Sequence, residues 1–209
     1  MDSITIHIFQ IVIFLFSVVI HEVSHGVMAL KLGDDTAKNM GRLTLNPIPH
    51  LDPIGSILLP LLLIVSNSPF VIGWAKPVPY NPLGLHKDFK YGPLKVALVG
   101  PGSNLVIALI MGLLIRLGSG FLSDIAIALL VQIVLINVLL AVFNLIPIPP
   151  LDGSKILTVL LPPNLSRALQ GIEAGGIMLV FILLMFFGDV IFSVTTLLAA
   201  LIIGPLPAF

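Results

Sequence analysis

The sequence predicts an all-α polytopic membrane protein, and three observations carry that expectation. Of 209 residues, 57% are hydrophobic and only 10% charged, whereas soluble domains carry about 25% charged residues. Mean hydropathy is +1.15. Apolar stretches near the roughly 20 residues that a membrane helix needs recur along the chain. Counting clear and interrupted stretches together gives about five to six hydrophobic segments, one of them a re-entrant hairpin, with short β-strands near the cytoplasmic side. Residues 1–209 are expected to form a single integral membrane domain with its core over 4–160.

The first stretch, Ile4 to Leu32, differs from a secretory signal. Only Asp2 precedes it where basic residues belong, and His21, Glu22 and His25 follow where a small-residue cleavage site would stand. It is expected to remain as a membrane helix. Thr36 to Leu45 alternates weakly and Val78 to Leu85 is rich in Pro and Asn, so both are candidate short strands. Between them, Ile54 to Ile72 contains Pro60 and is broken by Ser66, Asn67, Ser68 and Pro69. It could cross once or dip in and return. Lys31, Lys38, Arg42, Lys76, Lys87, Lys90 and Lys95 all fall between the first and second clear spans. Placing them all in the cytoplasm, where Lys and Arg concentrate, makes Ile54–Ile72 re-entrant and the N-terminus external.

Further clear spans are Lys95 to Leu117 and Ile125 to Ile146. A last run, Gly175 to Ile203, is interrupted by Gly188 and Asp189. That pair suits a tight turn between two short crossings, Ile177–Phe187 and Val190–Ile203, a C-terminal helical hairpin over about 172–205.

Charge and cysteine content exclude several classes of function. Ten Lys plus Arg balance ten Asp plus Glu, so no basic excess exists to neutralise phosphates, and nucleic acid is not an expected ligand. The chain has no Cys, which removes thiolate metal sites and cysteine nucleophiles. Any metal is held by His and carboxylate.

Such a set stands in the first span, as His21-Glu22-Val23-Ser24-His25. Residues at i and i+4 share a helical face, so both imidazoles can reach one ion while Glu22 points a carboxylate at the ion's water. Zinc suits these groups, with three protein ligands and one open position in a catalytic site. Ionisable groups inside an apolar segment are costly and usually functional. For the third ligand, Asp2, Asp34, Asp35, Asp124 and Asp189 are available. Asp152 is the better candidate, because Pro147, Pro149 and Pro150 force the chain to unwind before it, at the end of a span on the same side as His25. Asp52 and His50 are next in line.

Taken together, His21 to Gly26, Gly100-Pro101-Gly102-Ser103-Asn104 and Asn144 to Gly153 with its Leu-Asp-Gly resemble the site-2 protease family of intramembrane zinc metalloproteases. Order and separation match over about residues 10 to 160, and the pattern looks like the compact prokaryotic branch without a PDZ domain. The resemblance implies one Zn2+ per chain on His21, His25 and Asp152, with Glu22 as catalytic acid/base and Asn144 as a contact to the substrate backbone. Single-span membrane protein substrates are expected, for a multi-pass protein of the cell membrane whose lysine placement puts the active site toward the cytoplasm. Asn104 and His50 are further candidates for substrate contact, although small residues at 100, 102 and 104 equally suit close helix packing. Many members carry a membrane helix ahead of the His-Glu pair, whereas here the pair lies on the first span. The rival readings are an intramembrane metal-ion carrier and a metal-binding membrane protein without turnover.

Overall fold

A computed structural model describes residues 3–58, 62, 65–66, 74–172 and 175–204. Four helices in it are long and apolar enough to cross a membrane. They are α1 (Ser3–Lys31), α3 (Gly92–Gly118), α4 (Asp124–Asn144) and α7 (Gly176–Ile203). Three shorter helices, α2 (Thr36–Asn39), α5 (Asp152–Leu160) and α6 (Pro163–Gly171), lie between them.

The chain leaves α1 through Gly33, whose φ of 111° is open to glycine. Asp34 then accepts hydrogen bonds from the backbone and hydroxyl of Thr36, which begins α2, and from the backbone of Asn81. Burial works to raise the Asp34 carboxyl, but these bonds outweigh it and hold the group below the usual carboxylate range.

Helix α3 is the hub, touching α1, α4, α5 and α7. Ala108 and Ile115 of α3, Ile127, Val134 and Val138 of α4, and Ala199 and Ile203 of α7 form the main apolar core. A second cluster ties Ala29 and Leu32 to Leu85 and Val96, fixing the C-terminal end of α1 against the start of α3.

Three expectations are corrected. Thr36–Leu45 forms no strand: its first residues turn into α2, with Thr36 tied to the Asp34 carboxylate. Val78–Leu85 forms none either. The chain is extended ahead of a 3-10 turn at Pro82–Gly84, but Pro77 and Pro79 have no N–H for a ladder. Among the described residues the single bridge is Leu51 to Ala75. The C-terminal hairpin is replaced by one unbroken helix, because α7 runs through Gly188 and Asp189. A turn there would leave backbone groups unpaired in hydrocarbon, at several kcal/mol each, against about 1 kcal/mol for keeping a glycine in a helix. Among the described residues four candidate spans are found, against the five to six segments expected. Of Ile54–Ile72, the described start is a wide π-helical turn, Pro53–Leu58, begun by Asp52 accepting from Ile54 and Gly55. Most of the expected re-entrant hairpin lies outside the described residues.

Candidate active site

His21 and His25 stand one turn apart on α1, 5% and 6% exposed. Across from them, the segment after α4 cannot stay helical through its prolines. It leaves Leu151 extended and opens α5 at Asp152, which is 4% exposed. Gly153 makes that turn possible, since a Cβ there would lie 2.3 Å from the Leu145 carbonyl oxygen and 2.4 Å from that of Ile146. Asp152 Oδ2 lies 3.0 Å from His21 Nε2 and 3.1 Å from His25 Nε2, and the two nitrogens are 3.0 Å apart.

What fills the space between these atoms follows from the partners behind the rings. His25 Nδ1 lies 2.6 Å from the Val96 carbonyl oxygen, which only accepts, so Nδ1 carries the proton and Nε2 presents a bare lone pair. His21 Nδ1 faces Asn104 Oδ1 at 2.7 Å, with the same consequence. With both imidazoles neutral, two lone pairs and a carboxylate oxygen thus converge on one point, an arrangement that a proton or a metal cation relieves. Ligands at about 2.0–2.1 Å from a tetrahedral zinc stand roughly 3.3 Å from one another, close to the observed spacing. The donor set therefore fits zinc. Among the described residues this is the one group of His and acidic side chains with such geometry.

Helix α3 supplies the floor beneath the imidazoles. A Cβ on Gly100 would fall 2.3 Å from His25 Nε2 and 2.7 Å from His21 Cε1. Glu22 is half-buried beside the group, its Oε2 accepting from the Val78 N–H at 2.8 Å. A cavity of about 30 Å³ lies between Glu22, His25, Val78, Tyr80, Asp152 and Lys155, room for one water. Lys155 Nζ donates to Asp152 Oδ1 at 3.1 Å and leaves Oδ2 toward the histidines. Burial disfavours the lysine charge, but the adjacent Asp152, with Tyr80 and Glu22, holds the ammonium above the ordinary lysine range.

Of the other expected site residues, Asn104 meets the group through His21, whereas Asn144 and His50 bond to backbone carbonyls of their own neighbourhoods. Asn144 ends α4 and donates to the Leu140 carbonyl at 2.9 Å. Asn104 is fully buried behind His21. His50 is also fully buried, with Nε2 on the Thr44 carbonyl. Of the passed-over carboxylates, Asp34 is a loop clip, while Asp35 and Asp189 are exposed. Asp2 lies outside the described residues. Sequence reasoning missed the Val96 carbonyl, which carries no side-chain signal, and Lys155, three residues past Asp152 on the first turn of α5. It also missed Asn137, a second amide in an otherwise apolar helix.

Comparison with known proteins places this geometry in a family context. The family model described as Peptidase family M50 matches residues 119–188. A Bacillus subtilis protein named "Putative zinc metalloprotease YwhC" is 36% identical over 182 residues, covering 84% of this chain and 79% of that protein. One from Mycolicibacterium smegmatis named "Putative zinc metalloprotease Rip2" is 34% identical over 175 residues, 81% of this chain. Its Mycobacterium tuberculosis counterpart of the same name is 32% identical over 174 residues, 82% of this chain. The chain spans 64% of the length of each Rip2 protein. No solved structure matches.

Proposed function

The chain belongs to peptidase family M50, the site-2 proteases, and from that premise we propose how its residues divide the work of an intramembrane zinc metalloprotease. His21, His25 and Asp152 hold the zinc; Glu22 is the acid/base. The single observation that carries this is the convergence of two imidazole lone pairs and one carboxylate oxygen within 3.0–3.1 Å of one another, with Glu22 at the rim.

When bound, zinc supplies Lewis acidity that lowers the pKa of a water and polarises the scissile carbonyl. The chain's own residues do the rest. Glu22, held by the Val78 N–H, takes a proton from the water in the small cavity and hands it to the leaving amine. Lys155 keeps Asp152 Oδ1 occupied, so that one oxygen serves the ion. Asn144 offers an amide at the end of α4 to an unwound substrate backbone.

The substrates are membrane proteins, and we take them to be single-span helices that unwind locally before cleavage. We place the site toward the cytoplasm, because the basic residues between α1 and α3 cluster at that end of the bundle. The N-terminus is then external and Ile54–Ile72 re-entrant. We read residues 1–209 as one protease domain.

The test is Glu22→Gln in the purified protein with single-span reporter substrates. Cleavage is expected to fall by several orders of magnitude with zinc content unchanged, and the wild type is expected to stop with chelator and resume with zinc. Near-normal turnover in the variant would refute the role of Glu22.

A further inference from the structure

The orientation of His21 is set by more than Asn104. Asn104 is 0% exposed and sits on α3; Asn137, also 0% exposed, sits on α4. Asn137 Nδ2 donates to the Ile133 carbonyl at 2.9 Å. A carbonyl only accepts, so the amide of Asn137 has one allowed orientation, with Oδ1 toward α3. There it accepts from Asn104 Nδ2 at 3.0 Å. Asn104 in turn must present Oδ1 to His21, 2.7 Å away. His21 then carries its proton on Nδ1 and leaves Nε2 bare, facing Asp152. The backbone carbonyl of Ser17 pulls Asn104 Nδ2 in the same sense at a longer 3.3 Å.

We propose that Asn137 is a positioning residue for the zinc site: an amide relay from Ile133 through Asn137 and Asn104 fixes which nitrogen of His21 faces the metal. This rests on the reading of His21 as a ligand. Beyond Asn137, the Ser17 carbonyl also orients the Asn104 amide, and outer partners of this kind are typically worth 10- to 100-fold in metal affinity or activity. With Ser17 still holding Asn104, the lower end applies. The relay also explains two amides on α3 and α4 where apolar side chains would pack more cheaply.

The carrier of information is the asymmetry of the amide, and this makes the relay testable. Zinc affinity of the full chain is measured by chelator competition, alongside the absorption spectrum of the cobalt-substituted protein. Asn137→Leu is expected to weaken zinc about 10-fold and to broaden the cobalt bands. Adding Asn104→Asp should restore part of the affinity, because a carboxylate accepts from His21 Nδ1 whichever way it is turned, although the Ser17 carbonyl loses its donor. Gln132→Leu is the control, since it removes a 3.0 Å bond between α1 and α4 that does not lead to His21; its zinc affinity should stay at the wild-type value. If Asn137→Leu does not fold, Asn137→Thr replaces it, its hydroxyl able to bond the Ile133 carbonyl but too short to reach Asn104. Unchanged affinity at position 137, or equal losses at 132 and 137, would overturn the relay. Zinc retained in full by His21→Ala would instead refute the ligand assignment beneath it.

Discussion

Helices α3 and α7 are nearly equal in length, 27 and 28 residues, and both are apolar enough to span a bilayer, yet they do opposite work. The buried face of α3 is rich in small residues: Gly92, Ala97, Gly100, Ala108, Gly112 and Gly118 all lie on it. Neighbouring helices approach its backbone closely, and the two imidazoles rest on it. Helix α7 keeps Phe186, Phe192, Met185 and Leu201 exposed, as a helix clad in lipid does. In a membrane, helices associate through close packing and polar contacts. The difference teaches that the small residues of α3 serve the metal as much as the fold, whereas α7 closes the apolar core at its edge.

The largest expected effect separates their glycines. Gly100→Ala drives a methyl into His25 and should cut turnover on the order of 100-fold with zinc content reduced, as expected for ligands displaced by about 1 Å. Zinc analysis and cleavage assays on one preparation check this, and full occupancy in the variant would mean that α3 is not the floor of the site. An intermediate effect is expected on α5, which leans on α3. Lys155→Met frees Asp152 Oδ1 and removes the charge beside it, and should lower turnover about 10-fold with milder loss of zinc. Loss of turnover with zinc affinity wholly unchanged would move Lys155 from holding Asp152 to meeting substrate. The smallest effect belongs to α7. A Cβ on Gly188 meets nothing within 4 Å, so Gly188→Ala should leave cleavage unchanged and raise stability by up to about 1 kcal/mol. A marked loss of activity there would erase the contrast between the two helices.

Much of the site was legible in the sequence because its signals are local. The i, i+4 spacing of His21 and His25 needs only helix geometry, and the proline run before Asp152 announces a break that frees a carboxylate. Three of the four spans, α1, α3 and α4, follow from length and hydropathy. What was not legible depends on contacts between distant residues. Asn104 and His21 are 83 residues apart, and nothing in the α3 sequence says which helix its amide will face. The Gly188-Asp189 pair has the composition of a turn, but a bilayer offers no water to a broken backbone, and the helix continues. The segment before Asn81 has extended residues yet makes no strand, because alternating prolines remove the donors a ladder requires. The Val78 N–H, between the two prolines, goes to Glu22.

The central claim is that two histidines and one aspartate, and no other side chain, hold the zinc. X-ray absorption at the zinc edge of the purified wild-type chain tests it most directly, read beside Asp152→Ala. The account expects one zinc per chain with two imidazole nitrogens and light oxygen ligands at about 2.0–2.1 Å, and loss of tight binding in the variant. A third imidazole in the wild-type spectrum, or an unaltered site in Asp152→Ala, would contradict it.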